Sequence, residues 1–205
     1  MNSTRIRVLL ADDEETIRAA LAALLGLEPD LEVVAQAGDG HAAVEQARAH
    51  RPDVAVVDLE MPALDGIAVA AELAKALPGC AVVVLTGHGR PAHLRRALDA
   101  GAKAFVPKGS PAGTLADVIR RVHGGARYVD PSLAADALTA PENPLTAREL
   151  DVLRLAAYDL PASVIARRAQ LSNGTVRNYL ASAMTKLGAS SRGEALRIAD
   201  ENGWL

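Results

Sequence analysis

Apolar and polar positions follow two regimes along the chain. From residue 5 to about residue 123, short Val-rich apolar runs at 6–11, 31–37, 53–58, 80–86 and 102–107 alternate with stretches of helical spacing at 15–26, 40–50, 66–77, 91–100 and 112–123. The first set reads as strands apolar on both faces, the second as helices with one apolar face. Gly101 after the fourth helix and Pro111 near the start of the fifth are ordinary stop and start signals. Strand followed by helix, five times over, predicts an α/β domain: a five-stranded parallel, doubly wound sheet with helices on both faces.

Past Gly124-Gly125 the strand pattern stops. Residues 125–144 carry Pro131, Pro141 and Pro144 and read as a linker, with a short helix at 131–138 capped by Asp130. From residue 145 the spacing is helical throughout. Thr146 and Glu149 form a capping box that opens a helix to about Tyr158. A second helix spans about Ala162 to Gln170, a third follows the cap Ser172 through Leu187, and a fourth covers about Arg192 to Glu201. The predicted organisation is a first domain over 1–124, a linker over 125–144, and a small four-helix domain over 145–205.

Composition changes the picture in three ways. Half of the residues are hydrophobic but only 2% are aromatic, so the cores must be built from Ala, Val, Leu and Ile. The one cysteine, Cys80, heads an apolar run and reads as a small buried hydrophobe. The N-terminal apolar run ends at Asp12-Asp13-Glu14-Glu15, too early for a signal-peptide core, and no apolar stretch approaches the roughly 20 residues that span a bilayer. A cytoplasmic protein without membrane insertion is expected. The net charge of −3 does not point to nucleic acid, but its distribution does: Arg167, Arg168, Arg177, Lys186, Arg192 and Arg197 face a single acid, Glu194, within residues 167–197.

In open parallel sheets, functional groups gather at the carboxyl ends of the strands. Here those ends carry Asp12-Asp13 after the first strand, Asp58 after the third, Thr86 after the fourth and Lys108 after the fifth. Clustered carboxylates repel one another and call for a cation; with no His or Cys beside them, the oxygen donors suit Mg2+, or Mn2+ in its place. A carboxylate next to such an ion, a lysine and a hydroxyl is equipped to accept a phosphoryl group, because phosphoryl transfer asks mainly for positioning and charge neutralisation.

The stretches LLADDE, VVDLEMPALDG, VVLTG and FVPKG resemble the receiver domain of bacterial two-component response regulators across residues 5–123. That resemblance implies a flavodoxin-like fold and a phosphoacceptor role for Asp58. It implies Mg2+ ligation by Asp13 and the backbone carbonyl of Glu60, with Asp12 acting directly or through water. It also implies Thr86 as the switch hydroxyl, Lys108 as the phosphate-binding lysine, and Phe105 in the place of the aromatic switch residue. The sequence departs from common patterns at Gly87-His88-Gly89 and at Gly109.

Val164 to Gly188 has a helix–turn–helix look. Its second helix puts Val176, Leu180, Met184 and Leu187 on one face and Thr175, Arg177, Asn178, Ala181 and Ser182 on the other. Arg suits guanine and Asn suits adenine in the major groove. LTARELDVL, LSNGTVRNYL and KLGASSR resemble the LuxR-type DNA-binding domain of the NarL/FixJ regulators. By that resemblance Arg177, Asn178 and Ala181 face bases, and Thr175 and Lys186 lie near the DNA backbone. Family members often carry a basic residue in place of Ala181, a Gly in place of Asp159, a Ser cap in place of Pro161 and a Glu in place of Val164. Ala195, Leu196 and Ala199 form a stripe that serves either as a seam between two copies or as packing within the domain.

The function expected from the sequence is a DNA-binding transcriptional response regulator. A sensor histidine kinase phosphorylates Asp58, the phosphorylated chain forms a homodimer, and the pair binds a two-half-site operator in promoter DNA. The chain is expected to be a phosphoacceptor with slow self-dephosphorylation rather than an enzyme. The alternative is a receiver protein whose helical tail acts through protein–protein contacts. A phosphohydrolase with an aspartyl nucleophile is disfavoured by Glu60 two residues after Asp58, where such enzymes carry a second Asp. A dinucleotide-binding domain is disfavoured because no Gly-rich loop follows the first strand.

Overall fold

The computed structural model describes residues 5–87, 91–139, 141–158 and 160–205. The features noted at His88, Gly89 and Asp159 lie outside these residues.

The first compact unit follows the strand–helix alternation. Its elements are β1 (Ile6–Ala11), α1 (Glu15–Leu25), β2 (Leu31–Ala37), α2 (Gly40–His50), β3 (Val54–Asp58), α3 (Gly66–Ala76), β4 (Ala81–Thr86), α4 (Pro91–Asp99), β5 (Ala104–Pro107), α5 (Ala112–His123), β6 (Tyr128–Val129) and α6 (Pro131–Thr139). The strands pair in the order β2-β1-β3-β4-β5-β6, and every pairing is parallel. Successive side chains point to opposite faces of a strand, so each strand feeds two cores. Val8, Leu10, Val54, Val56, Val83 and Leu85 pack with Leu25 of α1 and with Leu115, Val118 and Ile119 of α5. Leu9, Ala55, Val57, Val82 and Val84 pack with Ala43 and Val44 of α2, Val69 and Leu73 of α3, and Leu94 and Ala97 of α4. Cys80 is buried in this second core, where burial pushes its thiol up to about 12.

The sheet has six strands rather than the five expected. Residues read as linker supply β6, which pairs with β5 in the register Ala104↔Tyr128 and Phe105↔Val129. The Tyr128 amide donates to the Lys103 carbonyl at 2.9 Å and the Asp130 amide to the Phe105 carbonyl at 3.2 Å. A strand two residues long has no periodicity to read, and it exists because the edge of β5 offers unpaired backbone groups. The Arg121 guanidinium lies 5.7 Å from the centre of the Tyr128 ring and covers this edge. The helix expected at 131–138 is α6, and Asp130 Oδ1 accepts from the Ser132 amide at 2.9 Å.

Arg120 of α5 ties the loop between α1 and β2. Its guanidinium donates to Asp30 Oδ2 and Oδ1 at 2.8 Å each, to Glu28 Oε2 at 2.5 Å and to Asp117 Oδ1 at 3.1 Å. The Arg120 hydrogen bonds hold the Asp30 carboxyl down at about 2. The folded chain therefore binds this proton less readily than the unfolded one. The contribution is fully present above the ordinary carboxylate range and is lost as the pH falls through that range toward about 2. Asp30→Asn is expected to flatten this part of the acid limb of a denaturation profile, while leaving its shape above pH 6 unchanged; an identical acid limb in the variant would show the cluster to be inert.

The second unit contains α7 (Ala147–Ala156), α8 (Ala162–Ala169), α9 (Asn173–Leu187) and α10 (Arg192–Glu201). The capping box at Thr146 and Glu149 is formed, and Ser172 caps α9 by accepting from the Thr175 amide at 3.1 Å. Pro161 begins α8 with no side-chain cap, as its chemistry requires. Leu153, Ala183, Ala195 and Ala199 form one core with Leu180, Met184 and Leu187 at its margin. Val152, Ala156, Ile165, Ala166 and Val176 form another. Ala195 and Ala199 are fully buried here, so the α10 stripe is consumed by packing within the domain rather than left for a second copy.

Candidate functional site

The strand order places β2 outside β1 and β3 next to β1. Chain direction across the sheet therefore reverses between β1 and β3, and a crevice opens at their carboxyl ends. Asp58 is the last residue of β3 and Asp12 follows β1 directly; both are almost fully buried, at 2% and 1% exposure, whereas Asp13 is exposed. Each of the three offers a carboxylate oxygen, and these oxygens lie within 4.8 Å of one another. Thr86 ends β4 and is buried. Lys108 follows β5, where its amide donates to the Thr86 carbonyl at 2.8 Å.

The Lys108 ammonium sits 3.0 Å from Asp58 Oδ2, 2.9 Å from Asp12 Oδ2 and 3.6 Å from Glu14 Oε1. The approach to Asp12 Oδ2 is an ion-pair contact out of hydrogen-bond line. Burial pushes the Asp58 carboxyl above its ordinary range; Lys108 opposes that shift and Asp12 adds to it. Burial alone would lower the Lys108 ammonium, but Asp12 and Asp58 override it and hold the lysine above its usual range. Among the described residues, Lys108 thus pairs with both buried acids at once.

Local geometry fixes Asp58. The Leu59 amide donates to Leu85 at 2.8 Å, which continues the β3–β4 ladder past the acid. Asp65 caps α3 by accepting from the Ala68 amide at 2.7 Å, and the Gly66 amide returns to the Leu59 carbonyl at 3.0 Å. A Cβ on Gly66 would stand 2.3 Å from the Asp58 carbonyl oxygen, so the turn closes only on glycine. At the other strand end, Asp12 Oδ1 accepts from the Glu14 amide at 2.9 Å, and Arg18 holds the Asp12 carbonyl at 2.5 Å. Glu14 and Arg18 were not singled out from sequence; Glu14 is the N-cap residue of α1 and Arg18 lies on its first turn, where an acid and a base read as ordinary surface.

The donor set fits a hard divalent cation. Asp58 Oδ1 is buried and has no hydrogen-bond partner among the described residues, an arrangement that is costly unless an ion or a hydrogen-bonding partner occupies it. The Glu60 backbone partly opposes the upward shift of the Asp58 carboxyl, and the Glu60 side chain is exposed. Phe105 faces the core beneath α4 and is fully buried, in the same cluster as Leu94, Ala97, Leu133 and Ala137. α6 therefore adds to the core that holds this ring, which the sequence does not reveal.

In the second unit, Arg177, Asn178 and Ala181 are exposed together on α9, and Thr175 is half-buried at its first turn. The Thr175 hydroxyl pairs with that of Ser172 at 2.8 Å. Lys186 is not a loose surface cation: its ammonium donates to Glu149 Oε2 at 2.7 Å. Glu149 had been read from sequence only as half of a capping box.

Comparison with known proteins agrees with both units. The family model described as response regulator receiver domain matches residues 8–120, and that described as bacterial regulatory proteins, luxR family, matches residues 143–199. The transcriptional regulatory protein YvfU of Bacillus subtilis is 41% identical over 98% of this chain and 100% of its own. DesR of the same organism is 39% identical over 98% of this chain and 99% of its own. The crystal structure of ChrA, the response regulator of a heme-sensing two-component system, superposes with a TM-score of 0.60 at 31% identity, covering 98% of this chain and 99% of that one. With a receiver fold closing on an acid cluster, a LuxR-type helical domain following it in sequence, and full-length relatives at about this identity, the chain belongs to the NarL/FixJ family of DNA-binding response regulators.

Proposed function

We propose that Asp58 is the phosphoacceptor of this regulator and receives its phosphoryl group from a sensor histidine kinase in the cytoplasm. The observation that carries this reading is the state of Asp58: a buried carboxylate with Oδ1 unpartnered, Lys108 at 3.0 Å on Oδ2, and the oxygens of Asp12 and Asp13 nearby. Asp12, Asp13, Asp58 and the Glu60 carbonyl would hold Mg2+, with Mn2+ able to replace it; the ion, when bound, neutralises the incoming phosphoryl oxygens. The Asp58 oxygen attacks phosphorus, the P–N bond to the kinase imidazole breaks, and its electron pair returns to the nitrogen, which takes up a proton. Lys108 then leaves its carboxylate partners in part to hold a phosphoryl oxygen, and Thr86 donates its hydroxyl to another.

The added charge of about −1.5 to −2, taken from ordinary phosphoresidues, draws on both Lys108 and Thr86. Phe105 and β5 lie beside Thr86 in the sheet, so a change there passes to the α4–β5 surface and to the β6–α6 segment seated on it. Such a change alters which surfaces are available for pairing. Phosphorylated chains form a homodimer, and their two α9 helices read the half-sites of an operator, with Arg177, Asn178 and Ala181 toward bases and Thr175 toward phosphate. Water slowly hydrolyses the acyl phosphate and resets the state.

Labelling by a small phosphodonor tests the chemistry. Incorporation at Asp58 is expected to require Mg2+ or Mn2+ and to fall to background on chelation; full labelling in chelator would overturn the metal assignment. Selection from a random oligonucleotide pool by phosphorylated protein tests the output. An enriched sequence with two repeated half-sites is expected, and a pool that stays random would favour a tail acting through protein contacts instead.

A further inference from the structure

A heavily bonded side chain of the second unit is a carboxylate with no part in the reading above. Glu149 stands on the first turn of α7 and is 4% exposed. Its Oε2 accepts from the Thr146 amide at 2.7 Å, the Thr146 hydroxyl at 2.9 Å and the Lys186 ammonium at 2.7 Å. Its Oε1 accepts from the Ser182 hydroxyl at 2.6 Å. A capping box needs only the Thr146 pair. The other two bonds reach across to α9.

We propose that Glu149 is a positioning residue for DNA recognition: through Ser182 and Lys186 it fixes the rotation of α9 about its own axis, and it withdraws Lys186 from service as a phosphate contact. The proposal rests on α9 being the helix that reads DNA. Ser182 and Lys186 are four residues apart and share one flank of the helix. That flank lies between the buried side, where Val176 and Ala183 pack, and the exposed side with Arg177, Asn178 and Ala181. Contacts on the buried side are apolar: Val176, Leu180, Ala183, Met184 and Leu187. They are strong in sum but not directional. Hydrogen bonds to a buried carboxylate are directional, and these two add an angular restraint on the helix that apolar packing does not supply.

The lever is short and sensitive. Side-chain tips stand about 5–6 Å from a helix axis, so a roll of about 15° moves them by roughly 1.5 Å. Binding groups must be held within about 0.5 Å to keep their bonds. A small roll therefore disengages Arg177 and Asn178 from base edges while leaving the domain folded. Burial would raise the Glu149 carboxyl, but Lys186, Ser182 and Thr146 together hold it at about 2, so the anchor is charged at neutral pH. With Lys186 neutralised by this partner, the pair adds almost no net charge to the DNA-facing surface.

The two halves of the proposal separate in one experiment. Full-length phosphorylated protein is titrated with the oligonucleotide enriched by wild type and with random duplex, across a salt series. Glu149→Gln keeps size and part of the cap but breaks at least one bond to α9. It is expected to lose roughly tenfold to a hundredfold in operator affinity, with affinity for random duplex unchanged or higher. Lys186→Met is expected to lower the operator-to-random ratio as well, with an unchanged salt slope. A direct phosphate contact would instead reduce that slope by about 0.9. Ser182→Ala, which removes the Oε1 bond alone, is expected to fall between wild type and Glu149→Gln. Equal losses on operator and random duplex in Glu149→Gln, or a slope reduced by about one in Lys186→Met, would overturn the proposal. Absence of any enriched oligonucleotide with wild type would remove the underlying reading of α9, and the proposal with it; that failure is visible before any variant is made.

Discussion

Asp58→Ala is expected to reduce acyl-phosphate formation from a small phosphodonor to background, in the presence of Mg2+ at any concentration. Three carboxylates share the crevice, but they are not equivalent. Asp12 spends Oδ1 on the Glu14 amide and has its Oδ2 against Lys108. Asp13 is exposed and lies beside the strand end rather than on it. Asp58 is the last residue of β3, held by the ladder to β4, and its buried Oδ1 has neither a hydrogen bond nor an ion pair among the described residues, whereas the unbonded Asp12 Oδ2 lies against Lys108. Removing it leaves two acids that can gather a cation but no nucleophile held in line with an incoming phosphoryl group. Mass spectrometry of the intact chain reads the outcome directly, and labelling of Asp58→Ala at the wild-type level would end the phosphoacceptor assignment. The same variant carries a second expectation. Asp12 and Asp58 are buried like charges that share Lys108, so Mg2+ should raise the melting temperature of the wild type more than that of Asp58→Ala, because binding adds stability that grows with the logarithm of affinity for the folded state.

Arg177→Ala and Asn178→Ala are expected to weaken binding to the selected operator far more than to random duplex. Bidentate contacts of Arg with guanine and Asn with adenine each contribute about 1–3 kcal/mol of discrimination, or roughly fivefold to 150-fold in affinity ratio. Both side chains are exposed on the same side of α9 near its N-terminus, the end that enters a major groove in helix–turn–helix domains. Ala181 stands one turn further along and carries only a methyl, which suits a thymine methyl and adds no charge. If Arg177 and Asn178 are the polar residues that face bases, the double variant should bind the operator with almost the affinity of random duplex. Repeating the oligonucleotide selection with each single variant identifies the base position that becomes indifferent. A variant that enriches the wild-type sequence with undiminished stringency would show that the residue does not face a base.

How much of this was legible beforehand follows from where each signal lives. Strand–helix alternation is a local property, and it marked β1 to β5 and the five helices between residues 15 and 123 to within a few residues. The capping box at Thr146 and the cap Ser172 were equally local, and both formed. Asp12, Asp13, Asp58 and Lys108 were identified because functional groups collect at strand ends, and the sheet brings them together. β6 escaped notice because two residues between glycines and a proline carry no pattern; its existence depends on an open strand edge contributed from elsewhere in the chain. The α10 stripe was ambiguous for a related reason: an apolar face shows that something covers it, not what. Glu14 and Arg18 gave no signal, and Ser182 was placed only on the polar face of α9, because each is an ordinary surface residue for its position until its partner is known.

The sequence by itself determined the two classes of domain, the strand ends on which acids and a lysine stand, and the polar face of α9, since all of these depend on spacing and residue chemistry within a few turns of chain. Tertiary structure decided what charge each group faces. It set Lys108 between Asp12 and Asp58, left Asp58 Oδ1 open, closed the core over Phe105 with a helix from beyond the fifth strand, and turned Glu149 from a cap into the anchor of α9. The physical reason is that a hydrogen bond or an ion pair is a matter of ångströms between groups that lie tens of residues apart, and no local pattern carries that distance.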